Sequence, residues 1–360
     1  MDASSTDPEE VALRPPEQVR LSYMKTTVRG WAALGLAALT ATALVACSSD
    51  SDSSSAPANS EGFPVSIDNV FGTTTIETQP ERLVTLGWNA QDILYALGLT
   101  PVGQPKYTYG ADDNGVMPWA QEYFDVDKTT LFDMPATGEP PVEIVASLTP
   151  DAILAPYEGF EKSVYEQLSK VAPTVAYPGD AWQTTWQDQT RIVGKAVGKP
   201  TEADALIEGL DTTLADTAAA HPEYAGKTIA VVNFDTDASN VNVYLPTDPR
   251  VQVLNELGFV NAPGVEKLGA ANAGGSFFTT LSYENIADID ADVIVGFTDG
   301  TTDPASIPAV SALDAVKRGS TVFLSDTRVI GGLSNVNVLS TPWVLDQITP
   351  SLTEAANRAG

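Results

Sequence analysis

The apolar residues of this chain arrive in short runs, each cut off by Gly or Pro and followed by helical spacing, and this pattern occurs twice. Arg82 to Leu86 reads as a short buried strand running into Gly87, and Gln91 to Leu97 follows as a helix that stops at Gly98. Asp151 to Ala155 is a second apolar strand, after the breaker Pro150. The second set opens at Thr228-Ile229-Ala230-Val231-Val232, with Val241 to Leu245 as a pairing candidate and Arg250 to Leu257 as a helix ending at Gly258. Asp292 to Val295 and Thr321 to Leu324 are further strands, and Pro342 to Leu352 is a closing helix interrupted by Pro350. Residues 64–70 and 73–77 read as a hairpin around Phe71-Gly72. Strands alternating with helices imply an α/β fold.

Between the two sets lie residues 184–221. One helix runs from about Thr184 to Gly198-Lys199-Pro200. Thr201 reads as the cap of a second, with Asp204 three residues on as a capping-box partner. Leu206, Ile207, Leu210 and Leu214 recur at three- and four-residue spacing and make one apolar stripe. A helix from Thr201 to Ala220 spans roughly 30 Å at 1.5 Å per residue. Such an element between two lobes is a rigid spine; the pattern alone fits a plain core helix as well.

The chain has 360 residues, enough for two domains, with 47 acidic against 19 basic side chains. From Cys47 onward the counts are 42 and 15. A surface of that sign repels phosphate backbones, so nucleic acid is not an expected partner. One cysteine forms no internal disulfide or zinc cluster. The single histidine, His221, precedes Pro222 at a helix end, where a cation suits the macrodipole, and removes most catalytic and metal constellations.

Residues 31–46, WAALGLAALTATALVA, are the one long apolar run, short for a membrane span and preceded by Lys25 and Arg29. The run ends in Leu44-Val45-Ala46-Cys47, which resembles a bacterial lipobox; the resemblance implies that Cys47 is acylated and becomes the first residue of the mature protein. The first 23 residues carry five acids, unlike a basic signal n-region, so Met24 is a second candidate start and 1–23 a misassigned extension. SSDSDSSSAPANSEG after Cys47 is a Ser-rich tether.

Four stretches carry a wider resemblance: PERLVTLGWNAQDILYALGLTPVG at 80–103, VEIVASLTPDAIL at 142–154, TIAVVNF at 228–234 and LSYENIADIDADVIV at 281–295. In their order the chain resembles the helical-backbone substrate-binding proteins of ABC importers for ferric siderophores, haem and cobalamin. The resemblance implies two Rossmann-like α/β lobes joined by a single long spine helix, with the ligand cleft between them. The boundaries expected are signal region 1–46, lipid-anchored tether 47–62, N-terminal lobe 63–198, spine 199–222 and C-terminal lobe 223–360. It implies a non-enzymatic monomer on the outer face of a bacterial cytoplasmic membrane. No cofactor is expected, and iron enters only within a bound chelate.

In that family each lobe carries an exposed glutamate that docks on arginines of the permease, and the matching positions are Glu143 and Glu284. Two carboxylates on distant lobes engage two guanidinium clusters and set orientation. The aromatic residues implied at the cleft are Trp88, Tyr107, Tyr109, Trp182, Tyr244, Phe277 and Phe278; each alone reads more readily as core, and together several are expected to line the cleft. Arg328, in a loop after a strand, is the candidate partner for ligand oxygens, with Arg191 the weaker one. The segment Gly331-Gly332-Leu333-Ser334-Asn335 is expected to bend amides toward the cleft. Haem usually takes a His, Tyr or Met axial ligand; the one histidine is poorly placed for it while a tyrosine ligand stays open, and no histidine cluster supports bare metal. The acidic surface disfavours highly anionic chelates and favours hydroxamate types. Haem and cobalamin remain open within the same fold, as does a surface sensor or scavenger without an importer. Asp235, Asp237 and Ser239 begin like a calcium loop, but Asn240 replaces the turn glycine and Pro246 the closing glutamate. Asp112-Asp113-Asn114-Gly115 reads as a turn.

Overall fold

The computed structural model describes residues 62–135, 138–234, 239–272 and 275–360. The signal region, Cys47 and the tether up to Glu61 lie outside them, as do Asp235, Asp237 and Gly274.

A hairpin opens the described chain, β1 (Val65–Asn69) against β2 (Gly72–Ile76), antiparallel with Val65 opposite Ile76. Then follow β3 (Leu83–Thr85), α1 (Ala90–Ala96), β4 (Gly103–Pro105), β5 (Thr130–Phe132), α2 (Val142–Ser147), β6 (Ala152–Leu154), α3 (Lys162–Leu168) and β7 (Thr174–Val175). These strands form a parallel sheet in the order β5-β4-β3-β6-β7. Such a sheet must be covered on both faces, and alternate residues show it. Leu83, Ala152 and Leu154 join one apolar cluster, while Val84 and Ile153 join another on the opposite face.

Two helices lead out of this lobe, α4 (Trp186–Ala196) and α5 (Pro200–Ala220). Thr185 caps α4 by accepting the Asp188 N–H at 3.1 Å. The start of α5 differs from the capping-box expectation. Lys199 is its N-cap, Pro200 takes the first helical position, and no side chain caps it. Proline suits that position because its missing N–H would have no helical partner. Ala203, Ile207, Leu210 and Leu214 of α5 are buried in the largest core cluster. That cluster also holds Leu83 of the first sheet and Ile229 of the next, so one apolar body runs past α5 into both lobes. At Gly194 a Cβ would lie 2.3 Å from Ala203 Cβ, so glycine is what lets α4 and α5 approach.

The remaining elements are β8 (Thr228–Asn233), β9 (Asn240–Tyr244), α6 (Pro249–Glu256), β10 (Val260–Asn261), α7 (Pro263–Ala271), β11 (Phe278–Ser282), β12 (Val293–Phe297), α8 (Pro308–Ser311), α9 (Asp314–Arg318), β13 (Thr321–Leu324), α10 (Thr327–Ser334) and α11 (Ser340–Arg358). The second sheet runs β11-β9-β8-β12-β13, with β10 also on β8. β8, β10, β12 and β13 are parallel, and β9 and β11 add an antiparallel edge. Ile229 and Val231 of β8 face the shared core while Ala230 and Val232 face a second cluster.

Three local readings are corrected. Pro350 does not interrupt the closing helix: α11 continues from Ser340 to Arg358. Pro350 lies on its exposed face between buried Ile348 and Leu352, so the carbonyl freed by the missing N–H faces water. Arg328 stands in the first turn of α10, not in a loop. Gly331 and Gly332 are helical rather than a bend; a Cβ on Gly332 would lie 2.9 Å from Val344 Cβ, so the glycine serves the packing of α10 on α11.

Candidate functional site

A cavity of about 410 Å³ lies where the strand ends of the two sheets face each other. This is where open α/β sheets hold ligands, because the connections diverge beyond the carboxyl ends of parallel strands. The first sheet contributes Trp88, just past β3, and Tyr157, just past β6, joined by Tyr109 and Trp182. The second contributes Asn233 from β8, Phe297 and Thr298 at the end of β12, Asn242 and Tyr244 from β9, and Phe277 and Phe278 at β11. Arg250 of α6 and Ile330 and Ser334 of α10 complete it.

The wall from the first lobe is aromatic. The Trp88 amide donates to the Tyr157 carbonyl at 3.2 Å, which ties the ends of β3 and β6 together. Trp182 meets Tyr157 edge to face at 5.7 Å and holds a left-handed φ of 61°. Tyr109 is 45% exposed.

The wall from the second lobe carries the charge. Asp248, fully buried at the N-terminus of α6, accepts from the Arg250 backbone N–H at 2.8 Å. Its carboxylate also takes the Arg250 fork, Nε to Oδ1 at 2.8 Å and Nη2 to Oδ2 at 2.6 Å. Burial works against the Arg250 charge, but Asp248 outweighs it and raises the guanidinium pKa further. The guanidinium stands 3.9 Å over the Tyr244 ring and 5.5 Å from Phe277.

Of the residues expected at the cleft, Trp88, Tyr109, Trp182, Tyr244, Phe277 and Phe278 are brought together on this cavity. Tyr107 is set back from it. Its one hydroxyl proton is shared between two acceptors, the Gly87 carbonyl at 2.9 Å and Gln91 Oε1 at 3.1 Å, and its ring backs Trp88 at 5.2 Å. Burial pushes its pKa well up. Arg328 does not line the cavity: its fork is held by Asp326, Nη2 to Oδ2 at 2.7 Å, and its side chain is 62% exposed. Arg191 pairs with Asp188 on the exposed side of α4. The arginine on the cavity is Arg250, which read in the sequence only as the start of a helix. Asp248-Pro249-Arg250 was the available signal, a capping aspartate before a helix-starting proline with an arginine in reach of both.

Behind the cleft a buried polar network joins α1 and α4 to the α10–α11 connection. Asn89, at a left-handed φ of 75°, donates to Gln189 Oε1 at 2.9 Å. Asn337 donates to Asp92 Oδ2 at 2.8 Å, and Trp119 Nε1 donates to the same oxygen at 2.7 Å. Burial pushes the Asp92 carboxyl up to about 6, against the pull of these donors. Glu143 stands exposed in the first turn of α2, and Glu284 exposed in the first turn of the 3₁₀ segment Tyr283–Ile289. His221 ends α5, with Nδ1 2.9 Å from Glu223 Oε1 and its ring on Tyr224 at 5.0 Å, and is absent from the cavity wall. Asp112 Oδ1 accepts from Asn114 and Val116 N–H groups, which closes the turn there. Among the described residues no group of acidic, His or Cys side chains gathers as a metal site.

Two α/β lobes on a helical spine, with an aromatic cavity where their strand ends meet, define the bilobed solute-binding class. Residues 83–326 match the model of the periplasmic binding protein family, and the chain belongs to that family. A probable siderophore-binding lipoprotein of Bacillus subtilis, YfiY, is 30% identical over 256 residues, 71% of this chain and 75% of the relative. The structure of PiaA from Streptococcus pneumoniae in complex with ferrichrome is similar with a TM-score of 0.74 at 30% identity, covering 82% of this chain and 99% of that one. SirA of Staphylococcus aureus complexed with staphyloferrin B is similar at 27% identity with a TM-score of 0.64, covering 80% and 98%.

Proposed function

We propose that this protein is an exported lipoprotein, anchored through Cys47, that captures a ferric siderophore in the aromatic cleft and delivers it to the permease of an ABC importer. The observation that carries the ligand class is the charge state of the cleft. Among the described residues its one arginine is matched by a buried aspartate, so the wall offers oriented donors and aromatic faces with little net charge. A ferric hydroxamate, neutral with apolar arms, fits such a wall. A tris-catecholate or polycarboxylate chelate would bring several negative charges to a chain already strongly acidic. The ferrichrome complex of PiaA supports the hydroxamate reading, and the names of YfiY and other relatives support capture for an importer. Trp88, Tyr109, Trp182, Tyr244, Phe277, Phe278 and Arg250 are the proposed contacts, and Glu143 and Glu284 the proposed permease-docking residues.

Titration of intrinsic tryptophan fluorescence tests the reading, because Trp88 and Trp182 stand on the cavity. Saturable quenching by ferrichrome and none by its iron-free form is expected; silence toward ferric hydroxamate, ferric catecholate, ferric citrate, haem and cobalamin would sink it. Reversing Glu143 and Glu284 to lysine separates delivery from mere capture. Binding in solution stays and iron uptake by cells stops, whereas uptake that survives both reversals assigns the protein to sensing or scavenging.

A further inference from the structure

Beside the main cleft, and sharing Trp88, Tyr109 and Trp182 with it, the first lobe holds a second chamber of about 330 Å³. Glu158 lines it and is only 3% exposed. Its Oε1 accepts the Gly159 N–H at 2.9 Å, while Oε2 has no hydrogen-bond partner among the described residues. The carboxylate reaches this position because residue 87 is glycine: a Cβ there would lie 3.0 Å from Oε2 and 2.2 Å from the Tyr157 carbonyl oxygen. The one proton of the Tyr107 hydroxyl is taken elsewhere, between the Gly87 carbonyl and Gln91 Oε1. Lys106 also lines the chamber but makes no hydrogen bond to Glu158 Oε2, and a buried acceptor left without a donor is costly, so Glu158 asks for one from the chamber.

Building on the proposed siderophore capture, we infer that this chamber is a subsite for a cationic amine arm of the bound chelate, with Glu158 as its counter-charge. An arm extending from the cleft passes along Trp88, Tyr109 and Trp182 without leaving an aromatic surface. Such faces suit both its methylene chain and its ammonium group. The last torsion of a glutamate is broad, so Oε2 turns toward an incoming N–H at small cost. The excess of acidic residues over the whole chain draws cationic ligands in the same direction.

The test compares two ferric hydroxamates that differ in one charge: ferrioxamine B, with a free primary ammonium, and its N-acetyl derivative. Kd values come from tryptophan fluorescence of the full chain, wild type and Glu158→Gln, with ferrichrome as a reference that lacks an amine. Wild type is expected to prefer ferrioxamine B by at least about tenfold, the scale of one charge-assisted hydrogen bond. In Glu158→Gln the preference falls to within about twofold of unity. Each ratio is taken within one protein, so any general loosening by the substitution cancels. A wild-type ratio near one, or a preference that persists in Glu158→Gln, overturns the subsite. Ferrichrome binding alongside such a result leaves the capture reading standing, whereas no binding of ferrichrome or either ferrioxamine overturns both.

Discussion

The two lobes each bury a carboxylate beside the cleft and treat it in opposite ways. On the second lobe Asp248 is saturated: a backbone N–H and both prongs of Arg250 meet it. On the first lobe Glu158 receives one backbone N–H and keeps an oxygen unmatched. Burial pushes Glu158 up to about 7, with the Gly159 N–H pulling the other way. The contrast separates two uses of buried charge. Asp248 fixes the orientation of a guanidinium before any ligand arrives, while Glu158 holds unused acceptor capacity that costs stability in the empty protein.

Breaking the saturated side has the largest expected effect. Arg250→Met strands a fully buried Asp248, and unfolding in urea should show a loss of about 3 kcal/mol, with ferric hydroxamate affinity falling roughly a hundredfold. Wild-type stability in that variant would mean that the pair is not what holds the wall. Glu158 gives the next effect, through pH. Its pKa in the fold is raised, so its contribution is full below the ordinary carboxylate range and is lost as pH rises through about 7. Relative to Glu158→Gln, wild type should therefore lose on the order of 2 kcal/mol between pH 5 and pH 8, read as diverging urea midpoints. Parallel midpoints would place Glu158 in a wetter setting than its burial indicates.

The aromatic side sharpens the comparison further. Trp182→Ala should weaken hydroxamate binding by about tenfold, and Tyr109→Ala by roughly threefold, because Tyr109 is already 45% exposed and has less contact to lose. The reverse order in titration would mean that the ligand sits toward the outer rim. The smallest effect concerns the whole molecule: with α5 and the Asn89–Asp92–Asn337 network linking the lobes, ligand should change the radius of gyration by less than about 1 Å, measured by solution scattering.

The strands that sequence reading caught are those whose residues carry their own signal. β8, β12 and β13 are apolar and largely β-branched; β8 and β12 are buried between two layers and β13 partly so. β4 is Gly-Gln-Pro, and β7 is two residues long. They are strands only because β3 and β6 offer free edges, which no local pattern reveals. The same division runs through the cleft. Aromatic residues after strands were visible as types in places, and six of the seven gathered on the cavity. Arg328 and Arg250 looked alike in the sequence, each two residues after an aspartate at a helix start. In the fold both are clasped by that aspartate, and only the orientation of α6 puts one of them against Tyr244. Glu158 is a polar residue in a loop, and its burial depends on Gly87, 71 positions away in sequence yet 3.0 Å from it in space by the Cβ that Gly87 lacks.

The spine also sets how this protein can announce that it is loaded. A hinge that swings open and shut signals by a large change of outline, but α5 is one unbroken element of 21 residues, roughly 30 Å long. A tilt of about 4° over that lever displaces its far end by about 2 Å, the difference between a carboxylate at 2.8 Å from a guanidinium and one beyond hydrogen-bond reach. On the proposed docking through Glu143 and Glu284, one on each lobe, the molecule then works as a gauge of fixed span. Its partner senses occupancy by whether both ends seat at once.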